Sequence, residues 1–133
     1  QPWYVNAVTA VATSLGPSAL MECLLEVELE FGRHRQIPNS SRTLDLDILA
    51  YHETVIEEPT NSHLHLQIPH PRMHLRSFVI SPLCDISPNW VHPTLGQSAQ
   101  ELRSRLSTDQ KVRRIIDADG LFGTEWRHES NPY

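Results

Sequence analysis

Two aspartates two residues apart stand out in the run from Arg42 to Leu49, which reads Arg-Thr-Leu-Asp-Leu-Asp-Ile-Leu. On a strand, Asp45 and Asp47 would share one face, about 6.5–7 Å apart. Because neighbouring carboxylates repel each other, a cation would stabilise the pair. Mg²⁺ is the natural candidate, since it prefers carboxylate oxygens and completes its shell with water and phosphates. Taken alone, the pair is more typical of a solvated acidic face on an edge strand.

Arginines bracket the polar segment that leads into these aspartates. Arg33 and Arg35 open it, Arg42 ends it, and Arg76 lies further along the chain. The planar guanidinium binds two phosphate oxygens at once. Together with the aspartates, the arginines predict a site for a magnesium-bound phosphate chain. Residues 33–41 are expected to form a loop that becomes ordered when nucleotide binds. Taken singly, each arginine favours a structural role, such as capping the end of the preceding helix.

Other side chains carry weaker signals. Tyr4 and Asn6 could stack on and hydrogen-bond to a flat heterocycle, although ordinary packing explains them and Phe78 equally well. Histidines at 63, 65 and 70 lie in polar sequence without a motif partner, which favours solvation over metal binding. The common glycine-rich phosphate loops and nucleophile motifs are absent from the sequence.

Composition narrows the class of protein. The chain has 133 residues, a formal net charge of −5 and two cysteines in no C-x-x-C pair. The acidic balance disfavours nucleic-acid binding, including an RNA-binding module of ferredoxin-like fold, and no apolar stretch is long enough to cross a membrane. Sparse cysteines suit a reducing compartment, so we expect the cytoplasm. An organellar destination stays open, because the first residue is Gln1 and not methionine.

The hydrophobic pattern predicts mixed strands and helices. Strands are expected over Trp3–Thr13, Leu44–Tyr51, Val55–Ile56, Phe78–Ile80 and Lys111–Asp117. A helix is expected to begin at Gly16-Pro17-Ser18 and stop at Gly32, with Glu28 leaning toward its apolar face. A second, short helix should hold Ala99, Leu102 and Leu106, and a turn should fall at His52–Thr54. This order indicates an α+β fold with an antiparallel sheet.

Four blocks of the sequence carry a family resemblance. They are Gln1-Pro2-x-Tyr4-x-Asn6-Ala7-Val8, Glu28-x-x-x-Gly32-Arg33-x-Arg35, Arg42-Thr43-Leu44-Asp45-Leu46-Asp47-Ile48-Leu49 and Pro69-His70-Pro71-Arg72-Met73-x-x-Arg76-x-Phe78-Val79-Ile80-x-Pro82-Leu83. In order and spacing they resemble the 6-hydroxymethyl-7,8-dihydropterin pyrophosphokinases. The resemblance covers roughly residues 1–93.

The resemblance implies a ferredoxin-like fold and transfer of pyrophosphate from ATP to 6-hydroxymethyl-7,8-dihydropterin, giving AMP and the pterin diphosphate in folate biosynthesis. It assigns two Mg²⁺ ions to Asp45 and Asp47, and catalytic roles to Arg33, Arg35 and Arg42. The nucleotide would lie along Ile48, His70 and Arg76. The pterin would contact Tyr4, Asn6 and Phe78, with Phe78 stacking on its ring.

The resemblance also sets expectations about the extent of the chain. Residues 1–117 would be the C-terminal part of the pyrophosphokinase domain, with its opening strand, helix and strand absent, and 118–133 a polar tail. Because the absent segments would form one side of the pterin pocket, we expect this chain alone to be inactive. The catalytic loop is also one residue short and Leu25 replaces a frequent glutamine, which bears on adenine contacts and rate. A non-catalytic relative with weak magnesium–nucleotide binding is the alternative. Whether the same polypeptide carries further folate-pathway domains stays open.

Overall fold

The computed structural model describes residues 4–33, 44–59 and 62–115. They form two compact units. Unit 2 holds residues 11–33, 44–59, 62–73 and 91–97, and unit 1 holds residues 4–10, 74–90 and 98–115. Within these ranges, no helix is both long enough and apolar enough to cross a bilayer.

Unit 2 opens with helix α1, Pro17–Glu28. Gly16 is its N-cap and Pro17 occupies the first turn, where the missing N–H of proline costs nothing. The helix runs into a wider turn, Leu29–Arg33, in which Gly32 has a φ of +113°. Only glycine adopts this dihedral without strain, so the predicted stop at Gly32 is confirmed.

A two-stranded antiparallel sheet completes unit 2. Strand β1, Ile56–Glu57, pairs with β2, Gln67–Ile68, and Ile56 lies opposite Ile68. The predicted turn after Tyr51 is confirmed, because the Thr54 N–H donates to the Tyr51 carbonyl at 3.0 Å. Ile48, Leu66 and Ile68 form the buried core, against which the following side chains pack: Leu20, Met21, Leu24, Tyr51, Ile56 and Leu64.

Unit 1 is built on two helices in contact, α2 (Ser77–Ile86) and α3 (Ala99–Ser104). The predicted short helix is α3, and Ser98 and Glu101 form a reciprocal capping box at its start. Its buried residues are Ala99 and Leu102.

Helix α2 replaces the strand predicted at Phe78–Ile80. Val79, Ile80, Leu83 and Cys84 are buried at helical spacing, so a short apolar run was mistaken for a strand. Pro82 lies inside the helix and argued against it in sequence. Burial raises the pKa of the Cys84 thiol, with Arg103 acting in the opposite direction.

Three other predicted strands are wrong in the described residues. Residues 4–13, 44–51 and 111–115 carry no strand, and the predicted strand at Val55–Ile56 is displaced by one residue to β1. A strand requires a hydrogen-bonded neighbour, which alternation in sequence cannot supply. The predicted loop at 33–41, apart from the backbone of Arg33, and residues 116–133 lie outside the described residues. The structure is therefore α+β, with a small antiparallel sheet and helices.

Candidate functional site

The segment that carries Asp45 and Asp47 alternates between exposed and covered side chains, as predicted, although it does not form a strand. Asp45 and Asp47 are exposed, whereas Leu44 and Leu46 are partly covered and Ile48 is buried. Ile48 belongs to the core of unit 2 and so fixes one side of the segment. As a result, both carboxylates lie on the accessible side, as the alternation predicted.

A buried glutamate holds this segment from α1. Glu28 is 4% exposed, and its Oε2 accepts a hydrogen bond of 2.6 Å from the Leu46 N–H. Leu46 lies between the two aspartates, so the bond fixes the backbone at that point. Hydrogen bonds to charged groups are stronger than neutral ones. The sequence indicated that Glu28 faces inward, but not that it binds this backbone.

An open cavity of about 270 Å³ lies beside the segment. Asp47, Ile48 and His70, which come from two separate sequence blocks, all line it. The wall is completed by side chains from α1, from the segment around β2 and from the turn that follows: Met21, His65, Leu66, Gln67, Pro71 and Arg72. The structure thus brings three of the predicted site residues to one cavity.

Two hydrogen bonds orient His70 in this wall. Its backbone N–H donates to the Leu49 carbonyl at 2.9 Å, which joins the two site segments. Its ring Nδ1 accepts from the Arg72 N–H at 3.2 Å. In the neutral ring, this hydrogen bond places the proton on Nε2.

The donor set fits a magnesium ion shared with a phosphorylated ligand. In the described residues, no group of three or more His, Cys, Asp or Glu side chains could enclose a metal ion. Mg²⁺ commonly binds one or two protein carboxylates and takes its other ligands from water and substrate phosphates. The exposed Asp45 and Asp47 fit this coordination preference of Mg²⁺.

Arg72, His65 and Gln67 line the cavity but were not predicted as site residues, and His65 was expected to be solvated. Arg72 brings a cation to the wall that also contains Asp47, and an arginine beside a carboxylate is a common arrangement in phosphate sites. Its position directly after Pro69-His70-Pro71 was the available signal. Gln67 begins β2 and His65 lies two residues before it, and the sequence pattern did not predict this strand.

Arg76 and Phe78 lie in unit 1, at the start of α2. Arg76 is the N-cap, and its guanidinium lies 5.5 Å from the centroid of the Phe78 ring. This is cation–π distance. Phe78 is 39% exposed, so part of its ring stays accessible.

The two residues predicted on the first strand lie in irregular backbone of unit 1. Tyr4 is 77% exposed, and the Asn6 side-chain amide approaches the Tyr4 carbonyl at 3.5 Å, a long contact. They do not share a strand face, because there is no strand. The backbone of Arg33 closes the turn after α1, while its side chain and both Arg35 and Arg42 lie outside the described part of the chain.

The cavity of unit 2, with a carboxylate, an oriented histidine and an arginine in its wall, is typical of proteins that bind a phosphorylated ligand with a cation. Comparison with known proteins narrows this class. Residues 1–88 match the model of the 7,8-dihydro-6-hydroxymethylpterin-pyrophosphokinase (HPPK) family. The chain belongs to this family.

Relatives agree with the match. A 2-amino-4-hydroxy-6-hydroxymethyldihydropteridine pyrophosphokinase of Synechocystis is 40% identical over 102 residues, which are 77% of this chain and 50% of the relative. The Haemophilus influenzae enzyme of the same name is 45% identical over 113 residues, 85% of this chain and 67% of the relative. The folic acid synthesis protein fol1 of Pneumocystis carinii is 45% identical over 119 residues, 90% of this chain and 14% of the relative.

The chain spans about half the length of the Synechocystis protein.

Proposed function

We propose that the protein transfers pyrophosphate from ATP to 6-hydroxymethyl-7,8-dihydropterin in folate biosynthesis. The observation that carries the proposal is the cavity of unit 2, because its wall contains Asp47, Ile48 and His70, which the family resemblance assigns to the magnesium–nucleotide site. Membership of the pyrophosphokinase family supports the same reaction.

In this reaction the pterin hydroxyl oxygen forms a bond to the β-phosphorus of ATP. The bond from that phosphorus to the oxygen it shares with the α-phosphorus breaks, AMP leaves with the electron pair, and the hydroxyl proton is released. Such transfers depend on alignment and on neutralising charge more than on covalent help from the protein. Magnesium, when bound, supplies that neutralisation along the triphosphate.

Asp45 and Asp47 would hold the metal, and we propose that they bind two Mg²⁺ ions. Glu28 keeps their segment in place through Leu46. His70 is proposed to contact the nucleotide, Ile48 gives the nucleotide an apolar contact, and the adjoining Arg72 adds positive charge to the wall.

Arg33, Arg35 and Arg42 retain their proposed catalytic roles at the ends and within the loop, and Arg76 its role at a phosphate. Guanidinium groups near a phosphate chain stabilise the charge that develops on the leaving oxygen. Closure of the loop over bound nucleotide would exclude water and limit hydrolysis.

Phe78, Tyr4 and Asn6 are proposed to bind the pterin. The partly exposed ring of Phe78 can stack on the heterocycle. Tyr4 and Asn6 can supply an aromatic face and an amide, and both are accessible.

The finer fold and setting are also part of the proposal. We infer a ferredoxin-like arrangement for the complete domain, with residues 1–117 as its C-terminal part and 118–133 as a tail. The cytoplasm is the proposed compartment, which agrees with free thiols at Cys23 and Cys84.

Incubating the full-length protein with magnesium, ATP and the pterin alcohol, and following nucleotides and pterins by chromatography, tests the reaction. We expect AMP and the pterin diphosphate in equal amounts, and neither product without magnesium. Formation of ADP would indicate transfer of a single phosphate and contradict the proposal. Binding of a non-hydrolysable ATP analogue without any turnover would favour the non-catalytic relative instead.

A further inference from the structure

One glutamine outside the family match binds the backbone on both sides of Arg76. Gln110 Oε1 accepts from the Ser77 N–H at 2.7 Å, and Gln110 Nε2 donates to the Leu75 carbonyl at 2.8 Å. Ser77 and Leu75 are the two neighbours of Arg76 in the chain. The family match ends at residue 88, so the motif blocks do not include this contact.

We propose that Gln110 is a positioning residue that sets the direction of the Arg76 side chain toward its phosphate ligand. The inference rests on the proposed function, in which Arg76 contacts phosphate. It adds a residue to that function: a C-terminal segment of the chain aligns an arginine supplied by the family motif.

The start of α2 explains why such a contact matters. The first N–H groups of a helix have no partner within the helix. Arg76 is the N-cap, but its side chain forms no cap hydrogen bond. Gln110 supplies an acceptor to one of these groups, the N–H of Ser77, which is the first residue of α2.

The second hydrogen bond distinguishes Gln110 from an ordinary cap. Because Leu75 and Ser77 are held by the two ends of one planar amide, the backbone at Arg76 has little freedom to rotate. The Arg76 guanidinium lies over the Phe78 ring, 5.5 Å from its centroid, which restricts the side chain further. An arginine aligned before its ligand arrives loses less entropy on binding.

Two further contacts connect the Gln110 segment to its surroundings. The Gln110 N–H approaches the Ser107 carbonyl at 3.5 Å. Four residues beyond Gln110, the guanidinium of Arg114 pairs with the carboxylate of Asp85 on α2. Both groups of this pair are substantially exposed, so the pair directs the segment and adds little stability.

The replacement Gln110→Met keeps the length of the side chain and removes both hydrogen bonds. In the full-length protein we expect kcat/KM for ATP to fall roughly tenfold, because small misalignments of a binding group lower rates steeply. Gln100→Met is the matched control, since Gln100 is an exposed residue of α3, and it should leave kcat/KM unchanged. Wild-type kinetics in Gln110→Met would overturn the proposal.

A double-mutant cycle separates positioning from plain stabilisation of α2. Arg76→Lys keeps the positive charge but loses the planar fork that benefits from alignment. If Gln110 acts through Arg76, Gln110→Met should change kcat/KM less than about twofold in the Arg76→Lys background. The full tenfold loss in that background would mean that Gln110 does not act through Arg76.

Two readings that do not require turnover keep this test separate from the test of the proposed function. In Gln110→Met, amide exchange at Ser77 and NMR relaxation at the Arg76 Nε should both show increased motion, and unchanged values would overturn the positioning role.

If Gln110→Met fails to fold, Gln110→Glu keeps the acceptor for Ser77 and loses the donor to Leu75. It should show an intermediate loss of kcat/KM, whereas wild-type kinetics would refute the role of the Leu75 contact. Absence of turnover in the wild-type protein would instead refute the proposed function.

Discussion

The carboxylate of Glu28 accepts a 2.6 Å hydrogen bond from the backbone N–H of Leu46, eighteen residues further along the chain. Glu28 ends helix α1, and Leu46 separates Asp45 from Asp47. A helix terminus is thereby joined to the segment that carries both proposed metal ligands. Because Glu28 is almost fully buried, the bond is protected from competing water.

Replacing Glu28 should reveal the strength of this link. Glu28→Ala leaves the Leu46 N–H without its acceptor, and we expect the free energy of unfolding to fall by about 1–3 kcal/mol. Glu28→Gln keeps an oxygen that can accept the bond, so its loss should be smaller. Urea unfolding measures both. Glu26→Ala, on the exposed side of the same helix, is the control and should stay within about 0.5 kcal/mol of wild type. Equal losses for Glu26→Ala and Glu28→Ala would show that the buried contact contributes nothing.

Removal of either proposed metal ligand should abolish turnover and leave the fold intact. For Asp45→Ala and Asp47→Ala we expect a loss of about a hundredfold or more in kcat at saturating magnesium and ATP, because charge on the triphosphate is no longer neutralised. Both residues are exposed, and their replacement relieves repulsion between neighbouring carboxylates. Thermal unfolding without metal should therefore be unchanged or slightly harder. Glu53→Ala, exposed in the turn after Tyr51, serves as the control. Near-normal activity in the Asp45 and Asp47 variants would contradict the metal site.

His70 should contribute to nucleotide binding more than to the chemical step. His70→Ala removes both the ring acceptor for the Arg72 N–H and the Nε2 donor, so we expect the Kd for an ATP analogue to rise about tenfold. His70→Asn can replace the acceptor but not the Nε2 donor, and it should recover the orientation of the turn without full affinity. Calorimetric titration with magnesium and the analogue gives the comparison. His63, exposed and outside the cavity wall, provides the control as His63→Ala. An unchanged Kd in His70→Ala would remove His70 from the site.

The two cysteines should differ sharply in reactivity. Cys23 is exposed and Cys84 is buried in α2, where burial raises the pKa of its thiol. With iodoacetamide at pH 8, mass spectrometry should find Cys23 alkylated in the folded protein and Cys84 only after unfolding. Rapid labelling of Cys84 in the native state would show that the α2 interior is open.

The same pKa shift predicts a pH dependence of stability. Because the folded state holds the Cys84 proton more tightly than the unfolded state, this contribution is complete below the ordinary thiol pKa of about 8.5 and declines as pH rises through the raised value. The free energy of unfolding should therefore decrease above about pH 8.5, and Cys84→Ala should reduce that decrease. Identical alkaline profiles for Cys84→Ala and wild type would contradict the assignment.

Local sequence rules were sufficient for features that depend on neighbouring residues. Pro17 and Gly32 marked the ends of the first helical region, and the spacing of Ala99 and Leu102 marked α3, because these signals act within one or two turns of the chain. The alternation at 44–48 correctly placed Asp45 and Asp47 on the accessible side, since a buried Ile48 leaves its neighbours outside.

Strand pairing and helix identity required the tertiary structure. Residues 4–13 and 44–51 alternate in hydrophobicity without forming strands, whereas the short pair β1–β2 forms where Ile56 and Ile68 meet in the core of unit 2. Phe78 to Ile80 is helical because Leu83 and Cys84 extend its buried face, despite the presence of Pro82. The strand pairing depends on partners distant in sequence, and the helix depends on burial that a short apolar run does not reveal.

The sequence by itself determined the family, the acidic pair Asp45–Asp47 and the chemistry expected around it, because residue type and spacing carry that information directly. Only the tertiary structure decided that His70 and Asp47 line one cavity, that Glu28 holds Leu46 and that Gln110 holds the backbone on both sides of Arg76. These contacts join residues that are 18 to 35 positions apart. Their geometry follows from packing of the folded chain, which no local pattern specifies.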